Sequence, residues 1–592
     1  MFKKLYSQLK FIRGMSHILK IMKGQEPEAT RTLIDDIEAS IDRSRDKLAI
    51  IDEQGSYTFA EFEARANRYA HWAKQQGWSA GDTVALMMEN SIDYPAVWFG
   101  LGKVGIITAL INSNLEGKGL IHSISIANSK AVITRGRQAI SVANIQNSLD
   151  SDLTVWDLDG KVGNYLEVAL SEVNDVRPDR IHRAHLCGRD TALYIYTSGT
   201  TGLPKAARIP HMRLSRSARI PVAMCGLRNT DIVYIVLPLY HITGGALGMG
   251  GALLKGATTV IRKQFSASNF WNDLHDHKVT VFFYVGELCR YLVNSDPHEL
   301  ERSHSLRAGV GNGMRGDVWR KFVDRFKVTH MHELYGSTEG NVAFINMDGT
   351  IGAVGQMPAW AGKKLGMDFV KFDIEKELPV RDPQGRCIRA EIDEIGEVIG
   401  RIEDTGMNKF DGYHEKKATE AKILHDVFTP GDKWFRTGDL MKRDNYGYIY
   451  FIDRIGDTYR WKGENVATNE VADVLSDFEA IETANVYGVS VPGNDGRAGM
   501  AALTLSGSID YEDLLAYLQS NLPSYALPIF LRIQDHASMT GNFKFQKVTV
   551  QKEGFDISNI KENVMFLCPE EKAYGPLTVD KYRRLITEDY RL

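Results

Sequence analysis

The sequence predicts an α/β protein: a large N-terminal domain of helix-covered β-sheets, followed by a small C-terminal α+β domain. Three observations carry this. The chain of 592 residues exceeds the size at which one hydrophobic core stops growing, so two or more domains are expected. From Leu48 onward, short apolar runs alternate with amphipathic stretches, as strands do when helices cover their sheet. After Asp453 the order becomes helix, two strands, helix and strand, which describes a separate compact unit.

Residues 1–24 come first. Lys3, Lys4, Lys10, Arg13, Lys20 and Lys23 meet no acidic residue before Glu26, and Phe2, Leu5, Leu9, Ile12, Met15, Ile18, Leu19 and Met22 recur at roughly helical spacing. This reads as a basic amphipathic helix, either lying on an anionic membrane surface or docked on the protein body with its basic face in water. The alternating region opens with LAIID (48–52), an amphipathic run (57–77) and DTVALMM (82–88). Further buried strands are expected at 130–134, 192–198, 258–261 and 280–285, with the pattern running to about Phe451. The domains are therefore read as 1–24, 25–453 and 454–592. In the last, helices are expected at 469–478 and 511–522 and strands at 482–491, 499–505 and 529–534, while the tail beyond Phe555 carries no readable motif.

Composition narrows the function. A net charge of -4 gives no reason to expect nucleic acid. Five cysteines, widely spaced and without a C-x-x-C pair, indicate a reducing compartment and no zinc site. No apolar run is long enough to span a bilayer and no secretory signal is evident, so a cytoplasmic protein peripherally associated with a membrane is expected. Oligomeric state is open, a homodimer among the options.

The strongest motif is Tyr194-Ile-Tyr-Thr-Ser-Gly-Thr-Thr-Gly-Leu-Pro-Lys205, a strand running into a loop of small residues. Thr197, Ser198, Thr200 and Thr201 offer hydroxyls, Gly199 and Gly202 expose backbone N–H groups, and Lys205 adds a cation, which together suit a polyphosphate. The loop is not a Walker A sequence, and such a loop by itself is also an ordinary solvated turn. In Tyr335-Gly-Ser-Thr-Glu339 the hydroxyl of Thr338 stands beside the carboxylate of Glu339, the oxygen donors that Mg²⁺ takes against phosphate; alone it also reads as a strand end and a helix cap.

The loop at 197–205 resembles that of the adenylate-forming superfamily of acyl- and aryl-CoA ligases, and the resemblance extends over nearly the whole chain. It is most similar to the fatty acid transport protein and very-long-chain acyl-CoA synthetase branch, through Ala206-Ala207 and the segments GELCRYL (286–292), VGNGMRGDVW (310–319), DRIGDTYRWKGENV (453–466) and GRAGMA (496–501). The resemblance implies the adenylate-forming fold with a mobile small domain. It implies that Thr338 contacts the phosphates of ATP and Glu339 positions Mg²⁺, that Tyr335 stacks on adenine opposite Gly311, Asn312 and Gly313, and that Asp439 and Arg454 hold the ribose. His241, the one imidazole in the small, apolar segment 237–257, is implied to line the carboxylate end of the acyl pocket, with the neighbouring glycines expected to leave room for a long chain. Lys544 is implied as the catalytic lysine, with Lys547 three residues on as the alternative. Gly463 is implied to line the passage for coenzyme A, and a hinge is implied near Gly456.

The expected function is that of a long-chain or very-long-chain fatty acyl-CoA synthetase using ATP, Mg²⁺ and coenzyme A through an acyl-AMP intermediate. The alternatives are a ligase for bile acids or other carboxylic acids, transfer to a carrier protein, and a lipid-uptake protein that uses the fold to trap fatty acid.

Overall fold

The computed structural model describes residues 2–592 apart from 198–202, 338–339, 375, 404–409, 411, 414, 463, 495, 538, 540–546 and 591. Two sheets follow the predicted alternation. Sheet A has eight strands. Its parallel centre runs Met331–Gly336, Ala308–Asn312, Val281–Val285, Ile232–Ile235, Thr258–Ile261, Leu48–Ile51, with the antiparallel strands Ala343–Ile345 and Ser56–Thr58 at its edges. Sheet B has seven strands, in the order Asn164–Tyr165, Thr154–Asp157, Ser129–Thr134, Thr83–Met87, Ile107–Leu110, Thr191–Thr197, Lys205–Pro210. Only its last pair is antiparallel. Both sheets read as continuous apolar runs because helices cover both faces: Thr258–Ile261 and Thr83–Met87 are buried throughout.

Local chemistry starts the covering helices. Ahead of Phe59–Gln75, the Thr58 hydroxyl accepts from Glu61 N at 3.2 Å while the Glu61 carboxylate accepts from Thr58 N at 2.7 Å, a reciprocal cap that satisfies two otherwise orphaned donors. Residues from the helices and from both sheets enter one core, in which Trp72, Trp271 and Trp319 are fully buried.

Between Gly355 and Arg454 the alternation gives way to a third, antiparallel sheet C, centred on Met367–Asp373, Gly396–Arg401, Lys433–Arg443 and Tyr448–Arg454. Its last hairpin is set by Asp444, whose carboxylate accepts from Tyr446 N and Tyr448 N at 2.8 Å each, and by Gly447 at φ +87°. The C-terminal unit has its own core, from Tyr459 to Tyr590, around a five-stranded sheet D. The tail that carries no sequence motif supplies two of those strands, Asn563–Cys568 and Ala573–Pro576, and a final helix Val579–Ile586 capped by Thr578.

The N-terminal helix Phe2–Met22 docks on the body. The Ser7 hydroxyl, buried, donates to Tyr446 O at 3.1 Å and accepts from the Gln356 amide; Phe11 meets Trp360 edge-on at 5.9 Å, and Lys10 lies 3.6 Å from Asp348. Leu5, Leu9, Ile12 and Leu19 face outward, about half exposed. Among the described residues no helix is long and apolar enough to cross a membrane.

Candidate active site

The loop after Ala308–Asn312 is held from three sides. Gly311 pairs with Glu333 on the neighbouring strand. A Cβ at Gly286 would lie 1.8 Å from Gly313 O, so only glycine lets that helix start so close to the loop, and Gly313 itself turns at φ +76°. The Glu333 carboxylate, 1 % exposed, accepts from Gly313 N at 2.8 Å and Met314 N at 2.9 Å, and from the Tyr284 hydroxyl at 3.0 Å. Burial pushes its carboxyl up to about 8, against the opposing pull of those three donors.

Two residues past Glu333, Tyr335 stacks on Phe344 at 5.8 Å, and its hydroxyl donates to Asp439. Burial, followed by the Asp439 charge, drives this phenol far above its ordinary range. Asp439 and Arg454 are cross-strand partners in sheet C, with Arg454 Nε 3.7 Å from Asp439 Oδ1. The approach to Asp439 is braced: Gly438 adopts φ +77°, Thr437 Oγ1 donates to Val398 O at 2.7 Å, and Arg436 Nε forks onto the buried Glu397 carboxylate at 3.0 and 3.1 Å.

Thr197 and Lys205 face each other across an antiparallel hairpin in sheet B. The Lys205 ammonium sits over the Tyr413 ring at 5.4 Å. The following helix, His211–Cys225, carries Arg213, which donates to Ser337 O at 2.7 Å and thereby ties the hairpin to the Tyr335 segment.

His241 opens a turn that becomes a π-helix, Thr243–Met249, its carbonyl accepting from Gly245 N at 2.8 Å and its ring lying 4.5 Å from that of Tyr240. The preceding loop is anchored by Asn90, which donates to Leu237 O at 2.9 Å and accepts from Leu239 N at 2.9 Å. Thr243 Oγ1 donates to Asn312 Oδ1 at 3.3 Å, joining this segment to the Gly311–Gly313 loop. The glycines here also have a packing purpose beyond the one expected. A Cβ at Gly244 would meet Pro238 O at 2.6 Å and one at Gly245 would meet Leu239 O at 2.2 Å, so both permit tight backbone packing. Gly245 also lines an apolar cavity, together with residues including Tyr94, Trp98, Leu193, Ile195, Ala246 and Met249.

In the small domain, Gly456 turns at φ +91° with open space around its Cβ position. The buried Asp453 just before it accepts from Thr468 N at 2.6 Å, Thr468 Oγ1 at 2.9 Å and Asn469 Nδ2 at 3.1 Å. Lys547 donates to Thr468 Oγ1 at 2.7 Å and lies 3.2 Å from Asp457, so in this arrangement it serves the joint. Across the division, Arg315 Nε meets Asp473 at 2.6 Å and Lys321 meets Asp477 at 3.0 Å.

A sequence model of the AMP-binding enzyme family matches residues 37–399. The chain belongs to the AMP-binding enzymes. Within them it belongs with the long-chain fatty acid transport proteins. It is 43% identical over 553 residues to long-chain fatty acid transport protein 6 of Mus musculus, covering 92% of this chain and 89% of that one. It is 40% identical over 544 residues to long-chain fatty acid transport protein 2 of Rattus norvegicus, covering 90% and 87%. Among solved structures, ATP-bound MatB from Rhodopseudomonas palustris superposes with a TM-score of 0.72 at 23% identity, over 89% of this chain and 99% of that one, which shows a shared fold.

In this AMP-binding enzyme the structure brings Tyr335, Asp439 and Arg454 together, and joins Gly311, Asn312 and Gly313 to the His241 segment. Ser198, Gly199, Thr200, Thr201, Gly202, Thr338, Glu339, Gly463 and Lys544 lie outside the described residues. The sequence reading missed Glu333, Arg213 and Asn90. Glu333 had one signal, an acid inside the strand Met331–Gly336; the other two act on partners more than 120 positions away.

Proposed function

We propose that this AMP-binding enzyme is a long-chain or very-long-chain fatty acyl-CoA synthetase. The observation that carries the reading is the Thr243–Asn312 contact: it puts a loop suited to a nucleotide against a π-helix that also borders an apolar cavity through Gly245, Ala246 and Met249. A nucleotide on one side and an alkyl chain on the other then meet at His241, where the fatty acid carboxylate belongs.

A carboxylate resists attack by a thiol because it is anionic and lacks a leaving group. In the proposed first half-reaction its oxygen attacks the α-phosphorus of ATP, the bond to pyrophosphate breaks, and acyl-AMP forms. In the second, the coenzyme A sulfur attacks the acyl carbon, AMP leaves, and the thiol proton is lost to solvent. Asp439 accepts hydrogen bonds from the ribose diol, for which a carboxylate with two acceptor oxygens is suited. Tyr335 and the Gly311–Gly313 loop enclose adenine. Lys205 and the loop before it bind the phosphates, and Lys544 offsets the charge that builds on the α-phosphate. Glu339 beside Thr338 offers the hard oxygen donors suited to Mg²⁺, which would neutralise phosphate charge.

The outward face of Phe2–Met22 supports attachment to the cytoplasmic side of an anionic membrane: Leu5, Leu9, Ile12 and Leu19 are exposed beside Lys10, Arg13 and Lys20. An ATP–pyrophosphate exchange assay over a series of fatty acid lengths, with release of free acyl-CoA measured in parallel, tests the function. Exchange that rises with chain length and yields free thioester is expected. Exchange driven by aromatic or sterol acids alone would overturn it.

A further inference from the structure

Glu333 is an unusual core residue. It sits inside the apolar interior of sheet A, next to the buried Cys289, and among the described residues no lysine or arginine forms a salt bridge with it. An acid buried without a cation costs stability that an apolar side chain of similar size would not. Its contacts show what the acid does instead. Oε2 accepts from Gly313 N and Oε1 from Met314 N, two consecutive backbone donors at the one sharp turn of the loop. The Tyr284 hydroxyl lies 3.0 Å from Oε1 and 3.1 Å from His332 O, so a single phenol reaches both an acid and a carbonyl.

We propose that Glu333 is a positioning residue that holds the Gly311–Met314 loop in the shape that receives adenine, acting through the two backbone N–H groups and not by contact with the nucleotide. The inference rests on the reading of this loop as a wall of the nucleotide pocket. The raised carboxyl fits the geometry. The phenol serves both states of the acid: it donates to the carboxylate at Oε1, and when burial protonates Glu333 it takes the carboxyl O–H and donates to His332 O, while in both states the two carboxyl oxygens accept from the loop. An amide at this position cannot do the same, because its NH₂ would face one of the two backbone donors.

The test is Glu333→Gln, with steady-state kinetics for each substrate in turn. One lost acceptor at a buried donor corresponds to a rise in KM for ATP of roughly 5- to 100-fold, with KM for fatty acid and the melting temperature changing far less. Tyr284→Phe keeps the two loop contacts and is expected to move KM for ATP by less than Glu333→Gln does. Unchanged KM for ATP in a folded Glu333→Gln protein overturns the proposal. Should that variant fail to fold, hydrogen exchange in the wild type decides: slow exchange at the Gly313 and Met314 amides supports the grip, and exchange at the rate of an open loop overturns it. Failure of the wild type to bind ATP by calorimetry would instead overturn the reading on which the proposal rests.

Discussion

Arg454 stands directly across sheet C from Asp439, its Nε 3.7 Å from a carboxylate oxygen whose partner oxygen accepts from the Tyr335 hydroxyl. The pair sets an acid beside a guanidinium at the edge of the candidate site while Arg454 itself remains half exposed. Asp439→Asn preserves the shape and removes the charge. The loss of charge-assisted hydrogen bonds to ribose is expected to weaken ATP by roughly 10- to 100-fold and to leave fatty acid binding unchanged. Calorimetric titration of each substrate separately checks this, and equal ATP affinity in the variant would refute the ribose assignment.

The cavity bordered by Ala246 and Met249 gives a chain-length prediction. Ala246→Phe fills space that the alkyl chain is proposed to use, so activity on long acids is expected to fall about tenfold or more relative to short ones. The ratio of kcat/KM values along a length series reports it. A uniform loss at every length would instead indicate general overpacking of the core.

Acid stability should follow buried imidazoles. His211 is buried, and burial lowers its folded value to about 4 from an ordinary 6.5; His332 shifts the same way. Because the unfolded chain takes up the proton first, His211 contributes stability that is complete above pH 6.5 and is lost as pH falls toward 4, by at most about 1.4 kcal/mol per pH unit. Denaturant unfolding of the wild type and His211→Gln across that window should therefore show a shallower acid slope in the variant.

The outward face of the first helix predicts lipid dependence. Replacing Leu5, Leu9 and Ile12 by serine removes apolar burial from the proposed membrane contact while leaving the docked face, Ser7 and Phe11, intact. Sedimentation with anionic vesicles is expected to fall sharply, with activity on a short soluble acid retained. Equal sedimentation of both proteins would rule out this attachment.

The proposed half-reactions should separate by mutation. Lys544→Ala is expected to slow acyl-AMP formation by roughly 10²- to 10³-fold yet to convert supplied acyl-AMP to acyl-CoA. Gly463→Leu is expected to accumulate acyl-AMP and fail at the thioester. Single-turnover assays of each step distinguish these outcomes from a common loss.

What the sequence made legible was local. The strands of sheets A and B stood out because burial on both faces leaves unbroken apolar runs, and the candidate nucleotide motifs because each is contiguous. Sheet C was harder to read, since a hairpin such as that at Asp444 and Gly447 depends on a few turn residues and leaves no helical spacing between strands. The tail strand Asn563–Cys568 is short, with burial alternating along it, and its identity comes from pairing with Phe530–Ile533. Gly244 and Gly245 were only half legible because small residues can signal either a void or a close approach: both approach a carbonyl closely, and Gly245 borders the cavity as well. Glu333, Arg213 and Asn90 gain their meaning from partners that only tertiary folding supplies.

The bonds from Thr468 and Asn469 to Asp453 cross the Gly456 turn, tying the first helix of the small domain to the last strand of sheet C. A swivel at Gly456 cannot keep them, so any large rotation must release several hydrogen bonds to one buried acid together, along with the Lys547 contact to Thr468. If the small domain rotates as the resemblance implies, such a joint would act as a threshold, held by these bonds until they release together. Breaking several hydrogen bonds at once would then give that rotation an activation enthalpy of its own. In rapid-mixing experiments that step would limit turnover on cooling, with a burst of acyl-AMP ahead of slow thioester release.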